Sequence, residues 1–470
     1  MTSTYFAEGL PYMIVNSAAD ALFTVMGLSL STLGLTTVLH LPWNLKFLVG
    51  PFVDQFETKR RWLLGTEVVL CLLLLVLTIV GGDEAPVWLL AVVFMAVAVL
   101  SATHDIAVDG FYLEGLDKPG QSRYVGYRAG AYRVAMLLVS GPLLGLAYVS
   151  GWRMAWLASL VVMMALTGYH AVALPRPEQR QRPIGQLLAR LLAPRVLLVL
   201  TVIVGVGAWG WETDYWGVTD GIAAVFASVP LLGRMSLPGW ISMSLLLVLI
   251  VLLIQIDRLQ AILRRHPSEY AESFVVFLAK PRVAQVLAFV LLYRVGESFL
   301  QKMRFPFLHR EADVSMGFYS FANGTVGFAA TVAATLLGGW LIARDGLKRW
   351  IWPFVIAQNL LNLLYAGLAF APDPSAISGT VITIVIAVEH IGAGLGTAVF
   401  MVYLMRCCDP RHKAAHMALL TALMSVGYTL AGLASGSLAE LIGFGPYFVL
   451  TFVATVPAML LLLVVPYVDR

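Results

Sequence analysis

Gly50-Pro51-Phe52-Val53-Asp54-Gln55-Phe56-Glu57-Thr58-Lys59-Arg60-Arg61-Trp62 joins two long apolar runs, and Gly338-Gly339-Trp340 leads to Lys348-Arg349-Trp350 in the same way. Gly50 and Gly338, Arg61 and Arg349, and Trp62 and Trp350 are each 288 residues apart. Both stretches follow the second apolar run of a set of six. A self-match at a fixed offset marks an internal repeat. Two six-helix halves related in this way predict parallel repeats, with a substrate cavity near mid-membrane where they meet.

The rest of the chain agrees with that plan. Of its 470 residues 59% are hydrophobic and 12% charged, about half the charged share of an ordinary soluble domain. Spread over the whole length, this excludes a soluble enzyme on a single anchor. Runs long enough to cross a bilayer fall at 5–27, 31–53, 62–82, 86–110, 125–149 and 152–173. A second set falls at 283–305, 318–342, 351–370, 377–405, 414–438 and 444–466. Two further runs, 194–216 and 239–257, lie between the sets, followed by a basic amphipathic stretch from Leu259 to Arg282. The fold class expected is therefore an all-α polytopic membrane protein of fourteen spans. Its divisions are an N-terminal bundle at 1–174, a middle segment at 175–282 and a C-terminal bundle at 283–470.

Charge sets the orientation. Twenty-three Lys and Arg fall on one set of alternating loops. Five (Arg153, Arg234, Lys302, Arg304, Arg310) fall on the other, and three (Lys46, Arg133, Arg294) within spans. By the positive-inside rule the rich loops face the cytoplasm, so both termini are expected there. The net charge of +4 needs no nucleic-acid partner. The first apolar stretch contains Glu8 and Asp20 and no basic flank, which reads as a retained helix instead of a cleaved signal. Cys71, Cys407 and Cys408 suit neither a disulfide framework nor a metal site. His40, His104 and His170 lack zinc spacing, and no phosphate-binding loop for ATP occurs.

Function should lie with the ionisable residues inside the apolar runs: Asp20, Lys46, Asp105, Asp109, Arg133, Arg294, Glu297, Glu389 and His390. A charge at mid-bilayer costs about 2.5–3.5 kcal/mol or more, so it is kept inside a bundle or a wet cavity. Asp105 and Asp109 are four apart and share a helix face. Two such carboxylates cannot easily both ionise, which suits a proton carrier; the alternative is that each neutralises a structural partner such as Arg128 or Arg133. Lys46 either snorkels to the surface or faces the cavity. Arg133 needs a carboxylate such as Asp105 or Asp109, or an anionic substrate group. Arg294 and Glu297, three apart, can pair with each other. Glu389 and His390 precede Gly392, Gly394 and Gly396, which loosen their helix and permit bending. Carboxylates thus fall on the first, fourth, seventh and tenth spans. Asp54 with Arg60 and Arg61 reads as a cytoplasmic gate or latch. Gly126/Gly130, Gly141/Gly145 and Gly432/Gly436 have the spacing of close helix contacts.

The two-half plan, with Gly50, Asp54 and Lys59-Arg60-Arg61 after the second span, resembles the major facilitator superfamily. Gly9-Leu10-Pro11, Lys46-Phe47-Leu48, Asp105-Ile106 with Asp109, and Gly126-Tyr127-Arg128 resemble the AmpG-type muropeptide permeases and related acetyl-coenzyme A transporters. So do Tyr132-Arg133, Tyr293-Arg294-Val295-Gly296-Glu297, Glu389 with Gly394-Leu395-Gly396-Thr397, and Ala418 to Leu423. The resemblance covers about 5–175 and 283–466. It implies proton-coupled uptake of a bulky solute, for the permeases an N-acetylglucosamine–anhydro-N-acetylmuramyl peptide. Matched by motif, it implies functional roles for Lys46, Asp105, Asp109, Glu297 and Glu389. The middle pair of helices and Asp20 depart from the pattern.

The expectation is a secondary transporter in a bacterial cytoplasmic membrane. Proton coupling is expected at Asp105, Asp109, Glu297, Glu389 and Asp20. Substrate binding is expected at Lys46, Arg133, Arg294 and His390, and gating at Asp54, Arg60 and Arg61. Its partners are then the lipid bilayer, protons and a small-molecule or glycopeptide substrate, with no cofactor, no metal and no nucleic acid, acting as a monomer. Uptake of a siderophore or a coenzyme A ester, or efflux by antiport, are the alternatives within transport. A membrane receptor or enzyme is the alternative outside it. An enzyme should gather its nucleophile and base at one interface, whereas these charges spread through both halves.

Overall fold

The computed structural model describes residues 2–115, 118–176, 237–265, 269–409 and 413–468, with isolated positions between 182 and 225. In lipid the backbone must satisfy its own hydrogen bonds, which restricts an apolar chain to helices or a closed barrel. The described residues are helical. Their only β feature is an isolated parallel bridge between Phe56 and Arg182. The helices form two compact units, one of residues 1–26 and 39–237, the other of residues 27–38 and 238–470.

The first unit begins with α1 (Thr2–Met13), a π turn (Ile14–Ala18) and α2 (Ala19–Val25). Residues 30–55 run through α3 (Leu30–Leu35), which belongs to the second unit, then a 3-10 turn (Thr36–His40), α4 (Leu41–Asn44) and α5 (Lys46–Gln55). Long helices follow: α6 (Lys59–Val80), α7 (Val87–Gly115) and α8 (Lys118–Leu138). A second π turn (Val139–Leu143), α9 (Leu144–Ser150) and α10 (Trp152–Ala173) complete the first half. Thr58 starts α6, its hydroxyl accepting from the Arg61 amide at 3.1 Å, which satisfies one orphan donor of the first turn. On α6, Leu63, Glu67, Leu70 and Leu74 are buried, whereas Val68, Leu72, Leu75 and Ile79 are exposed, as expected of a helix with one face to lipid. Gly9 lets α1 press on α8: a Cβ there would meet Ala135 Cβ at 2.9 Å and the Tyr132 carbonyl at 3.0 Å.

The second unit contains α11 (Leu237–Ile254), α12 (Ile256–Arg265), α13 (Glu269–Leu278), α14 (Val283–Tyr293) and α15 (Val295–Arg310). Next come α16 (Met316–Tyr319), a π turn (Ser320–Gly327), α17 (Phe328–Asp345), α18 (Leu347–Leu360) and α19 (Leu363–Ala369). The last four are α20 (Gly379–Cys407), α21 (Lys413–Ile442), α22 (Phe444–Val453) and α23 (Val456–Leu461). Its core gathers Phe289, Tyr293, Phe354, Phe400 and Tyr403, with Tyr293 stacked on Phe400 at 4.2 Å. Gly432 and Gly436 do serve a close contact. A Cβ on Gly436 would lie 1.7 Å from the Leu30 carbonyl, and one on Gly432 2.4 Å from Thr37 Oγ1, so α3 rests on α21 through glycine.

Ten described helices are long and apolar enough to span a membrane, and an eleventh if the pair 239–252 and 256–265, bent by 71°, counts as one. Fourteen spans were expected. The first two expected runs are helical but interrupted, at the π turn after Met13 and at Thr36–His40 and Leu45. The run 194–216 lies mostly outside the described residues. The seventh span is longer than its apolar pattern predicts. It continues to Arg310, and Lys302 and Arg304, counted above with the loops although they fall at the end of the run 283–305, are buried helix residues. The glycines of α20 do not break it. Helix α20 is continuous over 29 residues, and Gly392, Gly394 and Gly396 are instead where Leu361 with Ala357, Thr331 and Gln358 come closest.

Candidate functional site

In the first unit the break at Leu45 (φ −100°, ψ 5°) places Lys46 at the start of α5. Its Nζ donates to Asp105 Oδ2 of α7 at 2.8 Å. One turn further along α7, Asp109 Oδ1 accepts from the Tyr5 hydroxyl at 2.7 Å and lies 3.3 Å from Arg128 Nη2. The Arg128 guanidinium also lies over the Tyr5 and Tyr112 rings at 4.5 and 5.3 Å. Glu8 of α1 faces the same group, with Asp105, Asp109 and Lys46 the charges acting on it. Three carboxylates against two cations leave the cluster short of one positive charge, which a proton or a substrate cation can supply. Beside it stands an aromatic group. Tyr12 meets Trp43, His40 and Tyr132 at centroid distances of 5.0, 5.9 and 5.9 Å. The His40 ring stacks on Trp43 at 5.5 Å and is tied through Nδ1 to Asn16 Oδ1 at 2.9 Å.

The second unit repeats the theme with other residues. Arg294 sits at a helix break (φ −100°, ψ 3°) between α14 and α15. Its Nε lies 3.7 Å from Glu297 Oε2, and its Nη2 donates to the Thr397 hydroxyl. Glu297 accepts from Gln301 at 2.9 Å and from Gln358 at 3.0 Å. Glu389 Oε2 is 3.0 Å from Arg304 Nη1 and 2.8 Å from His390 Nδ1. Tyr319 and Tyr365 complete the surroundings of Arg304. Arg304 is 8% exposed and Glu389 2%, so this is a dry ion pair.

The other residues singled out by sequence are distributed as follows. Lys46 pairs with Asp105, and Asp109 pairs with Arg128. Arg133, expected to need Asp105 or Asp109, pairs with neither and makes no ion pair among the described residues, because Lys46 and Arg128 already occupy those carboxylates. Asp20 is half-buried in the first turn of α2 and takes no part in those two pairs. Arg60 donates to the Leu174 and Ala171 carbonyls at the end of α10. Arg61 pairs with Glu57 at 2.7 Å. The Asp54 side chain lies outside the described residues. Arg128, weighed from sequence as a partner for either carboxylate, is the one on Asp109; sequence reasoning overlooked Glu8, the aromatic group and, above all, Arg304. A signal for Arg304 existed: it falls seven residues after Glu297 on the same helical run.

The profile described as Major Facilitator Superfamily matches residues 286–470. The "Anhydromuropeptide permease" of Escherichia coli (strain K12) is 25% identical over 470 residues, covering 98% of this chain and 77% of that one. A Haemophilus influenzae protein, described as uncharacterized, is 24% identical over 98% of this chain and 92% of its own length. Among solved structures, a POT family transporter in complex with 5-aminolevulinic acid superposes with a TM-score of 0.67 at 11% identity, covering 100% of this chain and 96% of that one. Residues 286–470 thus match the Major Facilitator Superfamily, and the whole chain resembles the AmpG-type permeases. It is a multi-pass membrane protein and not an enzyme. In such a transporter the broken helices at Leu45 and Arg294 are informative, because they deliver Lys46 and Arg294 at the interruptions themselves. Irregular backbone at membrane depth is tolerated where it lines a cavity or is buried in protein.

Proposed function

We propose that this transporter imports a bulky anionic glycopeptide of the muropeptide class, driven by protons, across a bacterial cytoplasmic membrane. The observation that carries the reading is the cluster of Lys46, Asp105, Asp109, Arg128 and Glu8 beside the rings of Tyr12, Trp43 and Tyr132. Cations held by carboxylates can be released to an anionic substrate when a proton takes their place. Aromatic rings offer an apolar face with a polar edge, which suits a sugar ring. The name of the E. coli relative supports the substrate class.

In this reading Asp105, Asp109, Glu297, Glu389 and Asp20 carry protons, Lys46, Arg133, Arg294 and His390 bind substrate, and Asp54, Arg60 and Arg61 gate. The bundles are 1–174 and 283–470, with 175–282 an added middle segment. The chain works as a monomer with both termini in the cytoplasm. The test is uptake of labelled N-acetylglucosamine–anhydro-N-acetylmuramyl tripeptide by proteoliposomes under an inward proton gradient. Gradient-dependent uptake that is lost in Asp105→Asn supports the reading. Uptake by Asp105→Asn with unaltered pH dependence would remove the proton role. A thermal-shift screen with muropeptide, acetyl-coenzyme A, a ferric siderophore and a cationic drug decides the class, since a bound ligand raises stability by mass action.

A further inference from the structure

A second ionisable group of the first unit lies apart from the Lys46–Asp105 pair. Glu67 on α6, His104 on α7 and His170 on α10 are each fully buried, with no exposed surface. Glu67 Oε1 accepts from His170 Nδ1 at 2.7 Å and from His104 Nε2 at 3.3 Å. His170 Nε2 in turn reaches the Ser3 hydroxyl of α1 at 2.9 Å. Three helices therefore meet at one carboxylate, and a fourth joins them through His170.

The charge balance of this group is specific. Among the described residues the ion-pair partners of Glu67 are the two histidines and no Lys or Arg. An ionised Glu67 with two neutral imidazoles would place an uncompensated charge in a dry site within the membrane, at a cost of several kcal/mol. One added proton makes the group neutral. Between the two histidines, the hydrogen bonds say which one holds that proton. An imidazolium has two N–H donors and needs two acceptors. His170 has both, Glu67 Oε1 and Ser3 Oγ. His104 has one, because its Nδ1 has no partner, and a buried unmet donor costs about 1–3 kcal/mol. The shorter of the two bonds to Glu67 is also the one from His170, as for a charge-assisted pair.

We propose that Glu67, His104 and His170 form a proton-binding site separate from the Asp105–Asp109 cluster, with its proton held on His170. The other titratable and charged groups around it already have partners. On α6, Cys71 is next to Thr167 at 3.7 Å. At the start of α6, Lys59 donates to the Val53 carbonyl, and Arg60 to the carbonyls of Ala171 and Leu174. On α7, Asp105 is taken by Lys46. On α10, Tyr169 lies beside the His170 ring at 5.8 Å. On α1, Tyr5 and Glu8 turn to Asp109 and Asp105. Loss of the proton leaves Glu67 uncompensated between α1, α6, α7 and α10, so the packing of those four helices depends on the site being loaded.

The test is nitrogen-15 spectroscopy of histidine-labelled full-length protein in lipid nanodiscs, with signals assigned through His104→Gln and His170→Gln. At pH 7 His170 is expected to show two protonated ring nitrogens and His104 one. The His170 imidazolium signal should persist in Asp105→Asn and disappear in Glu67→Gln. A neutral His170 in the unaltered chain, or an imidazolium on His104, overturns the assignment. Loss of the signal in Asp105→Asn overturns the separateness of the site. The spectrum of the unaltered chain decides the matter even if Glu67→Gln does not fold. The measurement needs no transported solute, so its result is independent of the muropeptide reading.

Discussion

At the residue scale, burial separates the ion pairs that hold the protein together from those free to act. Arg304 and Glu389 are dry, with side chains 10% and 2% exposed. Removing one partner of such a pair strands the other charge, at about 3–5 kcal/mol. Arg304→Met is therefore expected to lower the detergent-solubilised melting temperature sharply, and adding Glu389→Gln should recover much of the loss. An Arg304→Met protein that melts like the unaltered one would show that His390 alone satisfies Glu389. Lys46 is different. Its side chain is 44% exposed, so the pair with Asp105 contributes less than about 1 kcal/mol to stability. Lys46→Met should melt nearly unchanged while uptake falls about tenfold or more, a loss equivalent to roughly 1.4 kcal/mol. A large fall in melting temperature with uptake retained would reverse these roles. Lys46 and Asp105 were legible in the sequence because a charge stands out against an apolar run. Arg304 was not, because the polar run Glu297 to Arg310 looks like a span ending when it is one continuing inside the protein.

At the element scale, glycine marks where helices approach. Gly436→Ala would drive its Cβ to 1.7 Å from the Leu30 carbonyl. Backbone cannot swing aside as a side chain does, so the substitution should separate α3 from α21 and cost about 1–3 kcal/mol. Gly339→Ala on α17 meets nothing within 4 Å and should be neutral or stabilise by up to about 1 kcal/mol. Thermal melting of the two variants side by side checks the contrast, and equal melting temperatures would refute it. Gly396→Ala is intermediate. Its Cβ would meet the movable Gln358 Oε1 and also lie 2.8 Å from Gln358 Cβ, so the fold should survive with a small shift of α18 while Gln358 leaves Glu297. Uptake should drop with little change in melting. The internal repeat has an element-scale meaning too. Arg61 pairs with Glu57 and Arg349 with Asp345, each four residues back. Glu57 and Asp345 are themselves 288 residues apart, so the repeat conserves a helix-start pair that identity of residues alone concealed. The glycines of α20 suggested a flexible helix by their number. What they meet depends on α17 and α18, and that is not written in α20.

At the scale of the whole molecule, the alternation of basic loops predicts orientation. In a protein whose Cys71, Cys407 and Cys408 are replaced, Asp83→Cys should react with a membrane-impermeant maleimide on spheroplasts, and Lys348→Cys only after lysis. The opposite pattern would invert the topology. The chain by itself determined that this is a polytopic helical membrane protein, and which ionisable residues interrupt its apolar runs. Those properties follow from the cost of polar backbone and charge in lipid, which acts on each segment locally. Only the tertiary structure decided which groups meet: Lys46 with Asp105, Arg128 with Asp109, Arg304 with Glu389, and two histidines with Glu67. Each partner lies on another helix or another turn. The free energy of a buried charge depends on distances of a few ångströms across helix contacts, and spacing along the chain does not set these.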